Sequence, residues 1–143
     1  MSNSLLAAEP NAVVEGFLIQ KMVLGLEVIV GVREDPLFGA VLALGIGGVM
    51  VEAMRDVAFR LLPITREDVA DMIEELRSKA VLGEFRGAAP RDVAALCVYV
   101  VGLSNAWPAL HERISDLEIN PMMVGAEGEG VVAVDIRYIA CGK

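Results

Sequence analysis

Oxygen-bearing side chains recur at alternate positions near the end of the 143-residue chain. Asp116, Glu118 and Asn120 alternate with apolar residues, and alternate side chains of a β-strand share one face. Asp135 follows within an apolar run, and a hairpin with a Gly-rich tip at residues 125–130 would bring the two segments together. Carboxylate and amide oxygens suit a hard cation such as Mg²⁺, which usually also holds a phosphate. The pattern therefore predicts a metal site that serves nucleotide chemistry.

The predicted elements place these segments at the end of an α+β domain. Apolar and β-branched runs predict strands at residues 14–22, 26–33, 39–45, 57–62, 113–124 and 130–138, the first three of them in an antiparallel meander. Apolar residues at helical spacing predict helices at residues 66–79 and 90–107, the first capped by Thr65 and the second ended by Pro108. This order of elements predicts an antiparallel β-sheet with two main helices packed on one face.

Charge and cysteine content exclude several classes of function. Twelve basic residues against twenty acidic ones give a net charge of −8, and no Lys/Arg cluster is present, so we expect no nucleic-acid partner. Cys97 and Cys141 form no CxxC pattern, which argues against zinc and against a disulfide framework. Without a disulfide framework a reducing, cytoplasmic location is expected, and the first ten residues lack the layout of a signal peptide.

Two uncharged stretches need consideration as membrane spans. Residues 36–51 are too short and are interrupted by glycines, and residues 93–110 are better interpreted as a buried helix, so we expect no membrane partner. The chain is 55% hydrophobic, which is high for a free-standing domain. Either the core is large, or apolar surface meets a partner or another domain.

Seven short motifs occur along most of the chain in one order, and together they resemble a known family. They are Gln20-Lys-Met-Val-x-Gly-x-Glu27, Gly31-Val-Arg-x-Asp-Pro-x-Phe-Gly39, Gly45-x-Gly-Gly48, Asp56-x-Ala-Phe-Arg-Leu-x-Pro63, Arg86-Gly87, Asp116-Leu-Glu-Ile-Asn-Pro121 and Val134-Asp-Ile-Arg137. The series resembles the ATP-grasp region of NDP-forming acyl-CoA synthetases, such as ADP-forming acetate–CoA ligase and, more distantly, the succinyl-CoA synthetase β subunit.

The resemblance implies half of an enzyme. An ATP-grasp site lies between two subdomains, and this chain is similar to the second, with residues 13–143 as that subdomain and residues 1–12 as a poorly ordered leader. The first subdomain, the CoA-binding domain and the phosphohistidine domain are implied partners that lie outside the chain. The full enzyme would interconvert ATP, acyl-CoA and acyl-phosphate, whereas the isolated chain is expected to be inactive.

The resemblance also assigns roles to individual residues. Asn120 and Asp135 match the metal-holding positions for Mg²⁺ on ATP, and Glu118 is a candidate third ligand through water. In the alternative interpretation Asn120 caps a turn before Pro121 and Asp135 is a surface residue. Glu27 matches the glutamate that holds the ribose hydroxyls. Gln20, Lys21, Met22 and Val23 resemble the linker whose backbone meets the adenine edge, although an exposed strand end explains Gln20 and Lys21 equally well.

Two arginines and two glycines are candidates for anion contacts. Arg33 and Arg86 would reach a phosphate or acyl-phosphate, but a surface salt bridge explains each of them as well. Gly47 and Gly48 would offer backbone N–H groups, yet tight packing of a bend accounts for them equally. His111, the only histidine, matches no motif and is interpreted as an exposed loop residue.

Two hypotheses about function follow. In the first, the chain is the Mg-ATP-binding half-domain of an ADP-forming acyl-CoA synthetase. In the second, it is a non-catalytic stand-alone paralogue that serves as a partner-binding or oligomerisation module. In either case the apolar composition predicts a homo-oligomer, because large exposed apolar patches favour association.

Overall fold

The structure is a computed structural model that describes residues 16–47 and 56–141. Within these residues it contains six β-strands, two α-helices and one 3-10 helix. The elements in chain order are β1 (Leu26–Asp35), β2 (Gly39–Ile46), β3 (Val57–Leu61), α1 (Arg66–Glu75), the 3-10 helix (Lys79–Leu82), α2 (Val93–Leu110), β4 (Ile114–Val124), β5 (Val131–Ala133) and β6 (Ile136–Ala140). The strands form one antiparallel sheet in the order β3-β2-β1-β4-β5, with β6 also paired to β4. The predicted α+β class is confirmed.

Strand alternation divides the sheet into a core face and an outer face. Val28, Val30 and Val32 are at most 1% exposed, and they pack with buried residues of both helices, such as Met72 of α1 and Val100 of α2. The intervening residues point to the other side, where no described helix covers them. The outer face is defined here by Glu27, Ile29, Gly31 and Arg33 of β1, Val41 and Ala43 of β2, Phe59 and Leu61 of β3, Asp116, Glu118 and Asn120 of β4, and Asp135.

The first predicted strand, at residues 14–22, is wrong over its described part. Residues 16–24 have no strand pairing and are mostly exposed. The sheet position beside β1 that this segment would need is taken by β4, which pairs along most of β1. The antiparallel meander exists, but it consists of β1, β2 and β3.

Both helices have ends that differ from the predicted ones. α1 ends at Glu75 because the carboxylate of Asp56 accepts hydrogen bonds from the N–H groups of Arg77 and Ser78, both at 2.8 Å, which draws this backbone away from helical pairing. α2 begins at Val93, after the N-cap Asp92, and continues past Pro108 to Leu110. The Thr65 cap is confirmed as a full capping box with Asp68.

Helix α2 is long and apolar enough to cross a membrane by length and composition alone. One side of it packs into the core through Leu96, Val100, Leu103 and Trp107. This packing agrees with the interpretation of α2 as a core helix.

Candidate functional site

The outer face contains a groove of about 310 Å³ along β1. Gly31 and Ala43 form its floor, and Phe59 lies at its apolar side. Gly31 has no room for a side chain without crowding β4, because an added Cβ would lie 3.2 Å from the carbonyl oxygen of Leu117. Asp116 and Glu118 lie at the polar side. The groove therefore offers an apolar surface beside a row of oxygen ligands.

Asn120 and Asp135 are brought together, as the sequence predicts. The backbone N–H of Asn120 donates to the carbonyl oxygen of Asp135 at 3.1 Å. Asn120 follows Ile119, which is buried on the core face, and Asp135 precedes Ile136, the partner of Ile119 in the register. Because directly opposite residues of an antiparallel pair present their side chains to the same face, both side chains lie on the outer face. Both residues are exposed and accessible to a ligand.

Glu118 orients the amide of Asn120. The Nδ2 group of Asn120 donates to Oε1 of Glu118 at 3.3 Å, so the amide oxygen of Asn120 is left for another partner. Among residues 16–47 and 56–141, no three His, Cys, Asp or Glu side chains are close enough to form a metal site on their own. An amide and a carboxylate oxygen supply two hard ligands, and a magnesium ion held this way would take further oxygens from phosphates and water.

Glu27 lies on the outer face near the start of β1, about 7 Å along the strand from Ile29. Ile29 lies opposite the irregular part of β4 that contains Asn120. The side chain of Glu27 is exposed, while its carbonyl oxygen accepts the N–H of Gly47 at 2.6 Å. An added Cβ on Gly47 would lie 2.9 Å from the Glu27 carbonyl carbon. Close packing therefore explains Gly47, and its N–H is not free to bind an anion as hypothesised. Gly48 lies outside the described residues.

The segment of Gln20, Lys21, Met22 and Val23 runs into β1 without joining the sheet. Gln20, Lys21 and Met22 are exposed, and Val23 is half-buried. Within residues 16–47 and 56–141 this segment has no strand pairing, so its backbone polar groups are candidates for contact with a ligand. It ends three residues before β1 begins at Leu26, and so leads to the end of the outer face where Glu27 lies.

Arg33 is paired with Asp116 across β1 and β4. Its Nε donates to Oδ2 of Asp116 at 2.6 Å, and the hydrogen bond and charge of Asp116 raise the pKa of Arg33 above its ordinary value. The Asp116 side chain is 18% exposed, whereas that of Arg33 is 74% exposed. The bond occupies Nε and leaves the outer edge of the guanidinium, with its two Nη groups, facing solvent. The surface salt bridge considered from the sequence is therefore present, and the arginine stays accessible.

Arg86 is not brought to the groove. It occupies a left-handed turn with φ of 50° in the loop after the 3-10 helix, and its guanidinium lies 5.3 Å from the centre of the Phe85 ring. The loop is joined through Arg91 to Ala126, next to the end of β4. The end of β4 pairs with the start of β1, whereas Arg33 lies near the end of β1. The two arginines are therefore held by different parts of the fold.

Asp92 positions the hairpin, and the sequence interpretation missed it. Its carboxylate accepts the N–H groups of Ala95 at 2.9 Å, Gly128 at 3.0 Å and Gly130 at 2.9 Å. These bonds hold the pKa of Asp92 below its ordinary value. One carboxylate thus caps α2 and fixes the loop from which β5 and Asp135 follow. Its place just before an uncharged helix was the available signal.

Comparison with known proteins finds relatives along nearly the whole chain. Residues 1–139 match the ATP-grasp domain family. The β subunit of ADP-forming acetate–CoA ligase II from Pyrococcus furiosus is 40% identical over 134 residues, which cover 93% of this chain and 57% of that subunit. The β subunit of ligase I from the same organism is 39% identical, over 92% of this chain and 56% of that subunit. The chain thus spans a little over half the length of these two relatives.

Solved structures share the fold. The dinucleotide-forming acetyl-coenzyme A synthetase 1 of Ca. Korarchaeum cryptofilum, in complex with coenzyme A and Mg-AMPPCP, aligns with a TM-score of 0.77 and 33% identity. That alignment covers 84% of this chain and 55% of the solved one. A crystal structure from Pyrococcus horikoshii aligns with a TM-score of 0.81 and 37% identity over 99% of this chain and 60% of the other.

Proposed function

The chain belongs to the ATP-grasp domain family, and from this premise we propose that it is the Mg-ATP-binding half-domain of an ADP-forming acyl-CoA synthetase. One observation carries the proposal. Along β1 the outer face presents, in order, an open linker, a carboxylate at Glu27, the Asn120 and Asp135 pair, and the Arg33 guanidinium. This order matches adenine, ribose, metal and phosphates along one extended nucleotide.

In this arrangement, each side chain of the outer face has a distinct task. Glu27 accepts two hydrogen bonds from the ribose diol, because an ionised carboxylate has only acceptors. Asn120 and Asp135 would hold Mg²⁺, with Glu118 fixing the Asn120 amide. When bound, Mg²⁺ neutralises charge that develops on the transferred phosphoryl group. Arg33 presents its two Nη groups to the same phosphates.

The matched region covers a little over half of the two β subunits, and the rest of the reaction requires parts outside it. We propose that a preceding ATP-grasp subdomain closes over the outer face and that a CoA-binding subunit supplies acyl-CoA or acyl-phosphate. The exposed Phe59 and Leu61 fit a face that another domain covers.

We also propose a homo-oligomer and a cytoplasmic location, where the free thiols of Cys97 and Cys141 stay reduced. Light scattering at micromolar concentration tests the oligomer, and a clean monomer would contradict it.

Calorimetry with Mg-ATP tests the proposed function. Wild-type protein is titrated with Mg-ATP, with ATP in excess EDTA, and with Mg-ATP after adding the part of the Pyrococcus furiosus β subunit that lies outside the matched region. Asn120→Ala combined with Asp135→Ala should abolish the magnesium-dependent part of the binding. Glu127→Ala, which removes an exposed carboxylate from the hairpin tip, is the matched control and should bind as wild type does. Equal binding by the double variant, or no binding under any condition, would contradict the proposal.

A further inference from the structure

A carboxylate lies on the core face of β1, away from the groove. Val28, Val30 and Val32 are buried on this face, and Glu34 continues the same alternation opposite Ala40 of β2. Its side chain is 35% exposed. A carboxylate is rarely found on the core face of a strand unless a partner compensates its charge. The outer-face site makes no use of Glu34.

The partners of Glu34 do not compensate its charge fully. Trp107 donates its Nε1 hydrogen to Oε2 of Glu34 at 3.3 Å. Nδ1 of His111 lies 3.6 Å from the same oxygen, which is too long for a hydrogen bond. No donor of the described chain is paired with the other carboxylate oxygen, Oε1. His111 is exposed and lies in the turn after α2, as expected from the sequence, and as the C-cap of α2 it stands beside this carboxylate.

A cavity of about 350 Å³ opens at this carboxylate. Leu62 and Pro63 line it from the end of β3, and Trp107 and Pro108 line it from α2. This volume falls in the range of small-ligand sites. The cavity therefore combines apolar walls, an indole ring and one carboxylate oxygen, Oε1 of Glu34, that has no donor among residues 16–47 and 56–141.

This combination selects one class of ligand. The Glu34 carboxylate and the net charge of −8 repel anions. A neutral apolar ligand would leave Oε1 of Glu34 without a donor. A cation with N–H groups would donate to Oε1 while its stem covers Leu62 and Pro63, and an indole nearby favours a cation further.

We propose that this cavity binds an ammonium or guanidinium group carried on an apolar stem. A free alkylamine and a lysine or arginine side chain of a partner segment share this chemistry. The Glu34 carboxylate pairs with the charge, and Trp107 contacts the stem. The site lies on the opposite face of the sheet from the groove and is independent of the proposed nucleotide site.

Trp107 makes the proposal directly testable, because it is the only tryptophan in the chain. Its fluorescence is measured at pH 8. The probes are n-butylammonium and agmatine, with butanol and butyrate as matched neutral and anionic controls at constant ionic strength. A saturable change with the two cations alone supports the proposal. Equal responses to butanol and n-butylammonium would overturn it, and this comparison needs no variant.

Two variants locate the binding. Glu34→Gln keeps an oxygen that accepts from Trp107 but removes the charge, so affinity for n-butylammonium should fall at least about tenfold. Glu112→Gln removes an exposed carboxylate next to His111 in the chain and should leave affinity unchanged. Unchanged affinity in a folded Glu34→Gln variant would overturn the proposal. A blocked Gly-Lys-Gly peptide that binds more tightly than n-butylammonium would assign the source to a partner segment, and weaker binding would assign it to a small amine.

Discussion

The backbone N–H of Asn120 donates to the carbonyl oxygen of Asp135 at 3.1 Å, and the two residues lie directly opposite each other across β4 and the β5–β6 segment. On its other side, β4 carries one residue more than β1 between Ile119 and Met122. This bulge lets both Ile119 and Met122 reach the core while Asn120 points outward. The candidate metal site is therefore a product of strand register, which no single motif specifies.

A larger side chain at Ala43 should block the groove. Ala43 lies on the groove floor, so a leucine there would occupy space that we assign to the nucleotide. Affinity of Ala43→Leu for Mg-ATP should fall at least about tenfold, while the free energy of unfolding should change by less than about 1 kcal/mol. Calorimetry and urea unfolding measure the two effects. Val98→Leu, on the exposed side of α2, is the control and should change neither quantity.

Replacing Arg33 should affect phosphate binding and leave stability nearly unchanged. The ion pair of Arg33 with Asp116 is exposed on the arginine side, and such pairs contribute about 0–1 kcal/mol. Arg33→Ala should lower affinity for Mg-ATP about tenfold and leave affinity for adenosine unchanged, because only ATP carries the phosphates. Arg113→Ala serves as an exposed control. A parallel loss of adenosine binding would contradict the phosphate role.

Asp56 should stabilise the fold more than any exposed carboxylate. It is 7% exposed and accepts hydrogen bonds from the backbone of Arg77 and from the backbone and hydroxyl of Ser78. Asp56→Ala would leave these donors without an acceptor, so the free energy of unfolding should fall by about 3 kcal/mol. Urea unfolding at pH 7 measures the change. Asp71→Ala, at an exposed position of α1, should change it by less than about 0.5 kcal/mol.

The same carboxylate should make stability depend on pH. Burial raises the pKa of Asp56, but the hydrogen bonds from Ser78 and Arg77 outweigh burial, so the pKa lies below its ordinary value. A group with a lowered folded-state pKa stabilises the fold fully above the unfolded pKa of about 3.9, and this contribution is lost as the pH falls through the folded value. Unfolding measured from pH 7 to pH 2 should show a shallower acid loss for Asp56→Ala than for wild type. Parallel profiles would contradict this assignment.

Part of the fold and of the site could be predicted because it depends on patterns of residues that are close together in the sequence. The alternation of Asp116, Glu118 and Asn120 defines a strand face, and Thr65 with Asp68 defines a helix start. What could not be predicted depends on contacts between distant segments. The end of α1 is set by Asp56, which lies 21 residues before Arg77.

The contacts around the candidate site that could not be predicted also depend on the pairing of distant segments. Asp116 holds Arg33 because β4 lies beside β1, a pairing that spans 83 residues. Residues 16–24 show no strand pairing because β4 takes the position beside β1. Neither fact is visible in the composition or periodicity of the segments concerned.

Paramagnetic line broadening by Mn²⁺ tests most directly the claim that Asn120 and Asp135 hold the metal of a bound nucleotide. Mn²⁺ accepts the same oxygen ligands as Mg²⁺, and a small fraction of it is added to isotope-labelled protein with ATP. The account predicts broadening centred on the amide signals of residues 118–120 and 134–136, and its loss when Asn120→Ala and Asp135→Ala are combined. Broadening centred on the acidic hairpin tip at residues 125–130, or unchanged in the double variant, would contradict it.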